Sequence, residues 1–250
     1  PTSGNTGIGL ALAAAVRGYK LIICMPKKMS MEKEITIKAL GAKVVRTRTE
    51  AAYEEEDSNF SIAKKLNKEI PDSHILDQWE NICNPEVHYN ETSQEILDDF
   101  GTDLDMVVMG VGTGGTISGI GKRLKEQIPN IRIVGADPYG SILGGEDEYK
   151  GSPYHVEGIG YDFIPKVFDQ SIVDEFVKVN DKEAFATAKA LIKEEGLLIG
   201  GSCGSATFAA LKAAKSLKKG QNCLIILPDS IRNYMRKFLS DDWMKENDLI

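Results

Sequence analysis

The chain is poor in the residues that build metal and disulfide sites. Its 250 residues include four cysteines and three histidines. The cysteines form no Cys-x-x-Cys pair and two of them lie inside apolar runs, so we interpret them as reduced thiols of a cytoplasmic protein. The histidines show no ligand spacing, which argues against a protein zinc site. These residues are Cys24, Cys83, Cys203, Cys223, His74, His88 and His155.

Long apolar runs and an excess of positive charge are also lacking. No run reaches the roughly 18 apolar residues that a membrane-spanning helix needs, so we expect no membrane association. The formal net charge of −7 argues against a nucleic acid partner, because phosphate contacts need clustered Lys and Arg. No signal peptide is recognisable. The hydrophobic fraction of 42% and the charged fraction of 27% are typical of a globular protein.

Short apolar runs alternate along the chain with helical patterns. The runs are continuous in hydrophobicity, as expected of parallel strands that are buried on both faces. The predicted strands are 21–25, 44–45, 106–109, 131–134 and 224–227. The predicted helices are 5–16, 85–100, 115–127, the segment from a capping box at Asn180 to Gly196, and about 206–218. The order predicts an α/β protein with helices on both faces of a parallel sheet.

Three turns rich in glycine precede predicted helices, where free backbone N–H groups and the helix dipole attract anions. The first, Pro1-Thr-Ser-Gly-Asn-Thr-Gly7, offers hydroxyls and an amide that suit a carboxylate or a phenolic oxygen. The same residue types also make an ordinary capped loop that binds nothing. The third turn, Gly200-Gly-Ser-Cys-Gly-Ser205, is by itself more typical of a tight entry into a helix.

The second turn, Gly112-Thr-Gly-Gly-Thr116, follows a predicted strand and suits a phosphate group. It departs from the P-loop pattern, because Gly119 is followed by Ile120 instead of Lys. It also departs from the dinucleotide pattern Gly-x-Gly-x-x-Gly, because Ile117 occupies the last position. The turn therefore favours a phosphate-bearing ligand other than ATP or NAD.

Taken together, the three turns resemble those of the fold-type II pyridoxal-phosphate (PLP) enzymes. The stretches 135–143, 156–163 and 227–235 are similar to the cystathionine β-synthase branch of the cysteine synthase family. The resemblance implies a tryptophan synthase β-like α/β fold with two parallel αβα domains. The remainder of an incomplete smaller domain would cover 1–69 and a larger PLP-binding domain 70–250, with the active site between them.

The resemblance also assigns roles to individual residues. Those expected to bind the cofactor are Asn5 at the ring oxygen, Gly112, Thr113, Gly114, Gly115 and Thr116 at the phosphate, and Ser202 at the pyridine nitrogen. Those expected to bind substrate are Thr2, Ser3, Gly4, Thr6, Gln78, Gly158 and Tyr161. The catalytic lysine that forms the Schiff base is expected N-terminal to Pro1, so no catalytic residue is assigned within this chain. Haem, which some members carry, would be bound outside this chain.

The implied activity is replacement of the hydroxyl of L-serine by L-homocysteine to give L-cystathionine, with hydrogen sulfide as a side product, in a homodimer. A neutral Ser202 fits this activity, because an unprotonated pyridine ring favours loss of a β-substituent over transamination. Cysteine synthase, which uses O-acetylserine and sulfide, stays open as an alternative. A non-catalytic relative that binds or senses a ligand is a second alternative.

Overall fold

The computed structural model describes residues 1–2, 4–49, 55–145 and 147–250. Its strands are β1 Ile22–Pro26, β2 Lys43–Thr47, β3 Met106–Gly110, β4 Arg132–Pro138, β5 Glu175–Val179 and β6 Cys223–Ile225. Its α-helices are α1 Asn5–Arg17, α2 Met31–Ala39, α3 Asn59–Glu69, α4 Cys83–Val87, α5 Ser93–Phe100, α6 Gly115–Gln127, α7 Asp181–Glu195, α8 Gly201–Ala213 and α9 Asp241–Glu246. A π-helix, His88–Thr92, joins α4 to α5, and 3₁₀ turns cover Gln170–Ile172, Ala214–Ser216 and Ile231–Tyr234. None of the described helices is long and apolar enough to cross a bilayer.

The described chain forms two compact units. The small unit is Pro1–Gln78 with Arg232–Ser240, and the large unit is Trp79–Ile231 with Asp241–Ile250. The domain boundary at residue 69 stays a prediction, because a compact unit is not by itself an independently folding domain.

The small unit is built on the parallel pair β1 and β2, in which Ile22 lies opposite Lys43. Its core consists of apolar side chains from α1, α2, β1 and the turns beside them, and Ile23, Cys24 and Met25 of β1 are buried. The buried members are Ala11, Ile23, Met25, Met29, Ile37 and Ala42.

The large unit contains a four-stranded sheet in the order β5-β4-β3-β6, and every pairing in it is parallel. Alternate residues of β3 face opposite sides. Val107 and Met109 pack with α6, whereas Met106 and Val108 pack with α8. Helices therefore cover both faces, and the predicted α/β class with parallel strands is confirmed. Because the strands are parallel, the carboxyl ends of all four lie along the same side of the sheet. Parallel α/β folds place their binding sites at this side.

Several elements differ from the sequence-based prediction. The pattern missed α2, α3 and the edge strand β5, and the segment 85–100 is interrupted by the π-helix. Helix α8 begins at Gly201 and not near 206, because its first residues are small and buried against α7. A Cβ on Gly204 would lie 2.0 Å from the Ala184 carbonyl oxygen, so glycine is required for this helix contact.

Candidate active site

The loop 112–116 connects the carboxyl end of β3 to the first turn of α6. Two of its glycines have no room for a side chain. Gly114 has φ +82°, and a Cβ there would lie 2.4 Å from Cβ of Phe168. A Cβ on Gly112 would lie 2.3 Å from the carbonyl oxygen of Gly158. The glycines therefore allow Phe168 and the turn at Gly158 to pack directly on the backbone of the loop.

The backbone N–H groups of this loop are available to a ligand. Within the described residues, the first amide of the α6 region to find a helical acceptor is that of Ser118, which donates to Gly114 O at 2.9 Å. The preceding amides with no acceptor among the described residues are those of Gly112, Thr113, Gly114, Thr116 and Ile117. Open amides at the positive end of a helix suit a phosphate dianion. The loop thus fits the phosphate of PLP.

Both threonine hydroxyls of the loop are held from the segment that precedes it. The Asn84 side-chain amide donates to Thr113 Oγ1 at 2.9 Å. Thr116 Oγ1 lies 3.1 Å from Nε2 of His88, whose Nδ1 lies 3.0 Å from Thr92 Oγ1. Burial lowers the pKa of the His88 imidazole and so favours its neutral form. Sequence analysis missed both Asn84 and His88, because neither lies in a motif and each meets the loop only in the folded chain.

Ser202 is buried in the first turn of α8. This turn is fixed to the residues that follow β6, since Gly200 N–H donates to Asp229 O at 3.1 Å and the Cys203 thiol lies 3.6 Å from the same oxygen. Strand β6 is the direct neighbour of β3. The start of α8 and the loop 112–116 therefore lie at the same carboxyl edge of the sheet, as the assignments of Ser202 and the loop require.

The turn that carries Gly158, Gly160 and Tyr161 packs directly on the loop. Gly160 N–H donates to Val111 O at 2.8 Å. The Tyr161 ring is half-buried and packs edge-on against Trp79 at a centroid distance of 6.1 Å. These contacts bring the two predicted substrate residues of this turn, Gly158 and Tyr161, beside the loop 112–116, although part of the Tyr161 ring surface is engaged in packing.

The remaining predicted residues belong to the small unit, around the start of α1. The Thr6 hydroxyl donates to Gln78 Oε1 at 2.6 Å, which joins two predicted carboxylate ligands. Thr2 is buried, and its hydroxyl accepts the Gly4 N–H at 3.2 Å. Asn5 is exposed and accepts from the Asn233 side chain at 3.4 Å. Ser3 lies outside the described residues.

A buried lysine, Lys33, lies beside Gly4 and was not predicted from the sequence. The side chain of Lys33 is 1% exposed, and its stem passes 2.5 Å from the position that a Cβ on Gly4 would take. Its ammonium group donates to the Tyr234 hydroxyl at 3.1 Å and lies 4.5 Å from the centre of that ring. The surrounding sequence, Glu32-Lys-Glu34, is charged and gave no sign that the central residue would be buried.

Comparisons with known proteins agree with this geometry. Residues 1–229 match the family model described as pyridoxal-phosphate dependent enzyme. A cystathionine beta-synthase of Dictyostelium discoideum is 56% identical over 100% of this chain and 51% of its own length. The chain spans about half the length of the curated cystathionine beta-synthases that it matches.

Two solved structures are similar over nearly the whole chain. An O-acetylserine-dependent cystathionine beta-synthase from Helicobacter pylori superposes with a TM-score of 0.88 at 42% identity, covering 95% of this chain and 76% of that one. A hydrogen sulfide-producing enzyme from Fusobacterium nucleatum gives a TM-score of 0.85 at 36% identity, covering 93% and 77%. With its parallel sheets and its match to the family model, the chain belongs to the fold-type II family of pyridoxal-phosphate-dependent enzymes.

Proposed function

We propose that the protein replaces the β-hydroxyl of L-serine with the thiol of L-homocysteine, giving L-cystathionine and water. The relatives named cystathionine beta-synthase support this reaction, as does their similarity across the whole of this chain. The observation that carries the proposal is the pairing of an open phosphate loop with the neutral Ser202 at one edge of the sheet. Release of hydrogen sulfide as a side reaction is supported by the Fusobacterium relative.

PLP, when bound, draws electrons from the α-carbon of an amino acid and so permits a β-substituent to leave. The open amides of 112–116 would hold its phosphate, and the Asn5 amide would hold its ring oxygen. The Ser202 hydroxyl would face the pyridine nitrogen without supplying a charge. A neutral group there keeps the ring a weaker electron sink, which favours departure of the β-substituent over transfer of the amino group.

We propose that the first loop and its partners bind the substrate carboxylate. Thr6 and Gln78 are joined through Oγ1 and Oε1, so that the Gln78 amide nitrogen is oriented by the same bond. Buried Thr2 would hold the turn at Gly4, while Ser3 and the first-turn amides of α1 would face the anion. Tyr161, with Gly158, would border the second substrate. These roles predict that Gln78→Glu raises KM for serine more than it lowers kcat, because it places a negative charge opposite the carboxylate.

A second candidate uses O-acetylserine in place of serine. It is favoured by the similarity to the O-acetylserine-dependent enzyme of Helicobacter pylori and to a cysteine synthase from the same species, which is 43% identical. The protein expressed from its complete gene should be given three mixtures: serine with homocysteine, O-acetylserine with homocysteine, and O-acetylserine with sulfide. Cystathionine from the first mixture, measured by mass spectrometry, supports our proposal. Product only from the third would identify a cysteine synthase, and no product from any would favour the non-catalytic alternative.

Variants of Ser202 test whether a neutral side chain is required at the pyridine nitrogen. Ser202→Ala keeps a neutral side chain, so we expect kcat to fall by only about tenfold, the value of one hydrogen bond. Ser202→Asp would protonate the pyridine nitrogen and should lower kcat further while producing transamination. PLP content measured in both variants separates this effect from loss of cofactor. Equal activity of the two variants would contradict the assignment of Ser202.

We also propose a homodimer in the cytoplasm. Three exposed apolar residues, Leu12, Val16 and Tyr19, follow one another along and just beyond α1 at 55%, 75% and 76% exposure, which is typical of a surface that is covered by a partner. Light scattering should show a dimer that Val16→Glu weakens and that Leu211→Glu, an equally exposed change on α8, leaves intact. Four free thiols support the reducing compartment, which cell fractionation would test.

A further inference from the structure

We propose that Asn84 and His88 are positioning residues that direct the hydroxyl protons of Thr113 and Thr116 toward the phosphate of PLP. The inference deepens the proposed function and rests on the role of 112–116 as the phosphate site. It concerns cofactor binding alone, and does not depend on which amino acids the enzyme converts.

The hydroxyl oxygen of Thr113 is held by two neighbouring donors. A threonine hydroxyl has one proton and two acceptor lone pairs. The Asn84 side-chain N–H donates to Thr113 Oγ1 at 2.9 Å, and the Gly115 backbone N–H approaches the same oxygen at 3.5 Å. Two donors therefore occupy the acceptor side of this oxygen. The proton of Thr113 is left to donate to another acceptor, such as an oxygen of a phosphate that the loop amides bind.

A phosphate bound at the loop would also determine the tautomer of His88. A neutral imidazole has one N–H donor and one acceptor nitrogen. If Nε2 carries the proton, it donates to Thr116 Oγ1, and Nδ1 accepts the hydroxyl proton of Thr92. In the other tautomer Nε2 of the ring would accept the hydroxyl proton of Thr116. A phosphate at the loop selects the first tautomer, because only then can the Thr116 hydroxyl donate to it. Burial of the ring supports its neutral form.

The backbone holds these partners in place. Helix α4 and the π-helix lie so close to α6 that two glycines of α6 cannot be replaced. A Cβ on Gly115 would lie 1.9 Å from the Asn84 side-chain oxygen, and one on Gly119 would lie 2.2 Å from the Pro85 carbonyl oxygen. The π-helix begins at His88, and such widened turns occur often at functional sites. The close packing of these segments on α6 thus leaves Asn84 and His88 little room to move away from the loop.

The test compares binding of PLP with binding of pyridoxal, which lacks the phosphate. His88→Phe keeps a ring but removes both nitrogens, and we expect it to weaken PLP about tenfold while changing pyridoxal affinity less than about twofold. His88→Gln retains an N–H donor and should recover most of the affinity for PLP. Asn84→Asp can only accept, so it should capture the Thr113 proton, repel the phosphate and weaken PLP at least about tenfold. Hydroxylamine removes PLP from the holoenzyme, and the affinities are measured by cofactor fluorescence as PLP or pyridoxal is added back to the resulting apoprotein.

Matched controls separate positioning from general damage. His74→Phe and Asn90→Asp make the same chemical changes at exposed positions, the second of them on the π-helix itself, and should leave both affinities unchanged. The ³¹P resonance of bound PLP should shift in the His88 and Asn84 variants and not in the controls. Unchanged PLP affinity in His88→Phe and Asn84→Asp would overturn the inference, as would equal losses for PLP and pyridoxal. Either result would leave the question of cystathionine synthesis to the product assay.

Discussion

Gly114 illustrates, at the scale of single residues, how the phosphate loop depends on the absence of side chains. Its φ of +82° costs an L-residue about 1–2 kcal/mol. A Cβ there would also strike Phe168. We expect Gly114→Ala to lower the free energy of unfolding by at least about 2 kcal/mol more than Gly220→Ala, which has φ +91° but no neighbour within 4 Å. Urea titration of both variants measures the difference, and equal losses would show that the contact with Phe168 costs nothing.

Lys33 illustrates a residue whose role depends on burial. Its hydrogen bond to Tyr234 is shielded from water, so a double-mutant cycle of Lys33→Met and Tyr234→Phe should give a coupling free energy of about 1 kcal/mol or more. The ion pair of Lys166 with Glu80 provides the comparison, because both side chains are exposed, at 73% and 47%, and such surface pairs couple by less than about 1 kcal/mol. A coupling for Lys33 no larger than this surface pair would contradict the prediction.

At the residue scale, motif and family resemblance together indicated the loop residues but not the residues that hold them. The glycines and threonines of 112–116 occur in a recognisable order. Asn84 and His88 lie on another helix, and Lys33 occurs in a charged stretch that is typical of an exposed face. Their importance comes from contacts between distant segments, which local patterns do not record.

At the scale of elements, the capping box of α7 was predicted correctly. Asn180 Oδ1 accepts Glu183 N–H at 2.9 Å, and the Glu183 carboxylate accepts Asn180 N–H at 2.9 Å. We expect Asn180→Ala to lower the free energy of unfolding of the chain by about 1 kcal/mol in urea titration. Lys182→Ala, in the same exposed turn, serves as the control and should have little effect. A larger effect of the control would show that capping is not the source of the stability.

Other elements were decided by packing. Gly201–Ser205 has poor helix propensity and was interpreted as a turn, yet it forms the buried first turn of α8, because small residues allow α7 to approach. Strand β5 lies at the edge of the sheet, is only partly buried and carries the charged residues Glu175 and Lys178. It was not predicted, because it lacks the continuous apolar pattern of the central strands.

At the scale of the whole molecule, the reactivity of the cysteine thiols can be used to follow the unfolding of the two units. Burial raises the pKa of Cys203 to about 11 and also raises the pKa of Cys24 and Cys223, so at pH 7 to 8 these groups stay protonated and unreactive. Cys83 is exposed and should be alkylated first by iodoacetamide in the native protein, as peptide mass mapping would show.

In rising urea, Cys24 of the small unit should react before Cys203 of the large unit, because the small unit has the smaller core.

Labelling of Cys203 before Cys83 in native protein would contradict the burial of the first turn of α8. Simultaneous exposure of Cys24 and Cys203 in urea would show instead that the units unfold as one cooperative structure.

The sequence by itself determined the α/β class, the central strands, the glycine-rich turn before α6 and the membership of the family, because these depend on local periodicity and on short ordered motifs. Tertiary structure alone decided which side chains orient Thr113 and Thr116, why Lys33 is buried, and where α8 begins. Those features depend on segments far apart in the chain that meet with closely fitting surfaces, and the fit is a property of the folded packing rather than of any one stretch of residues.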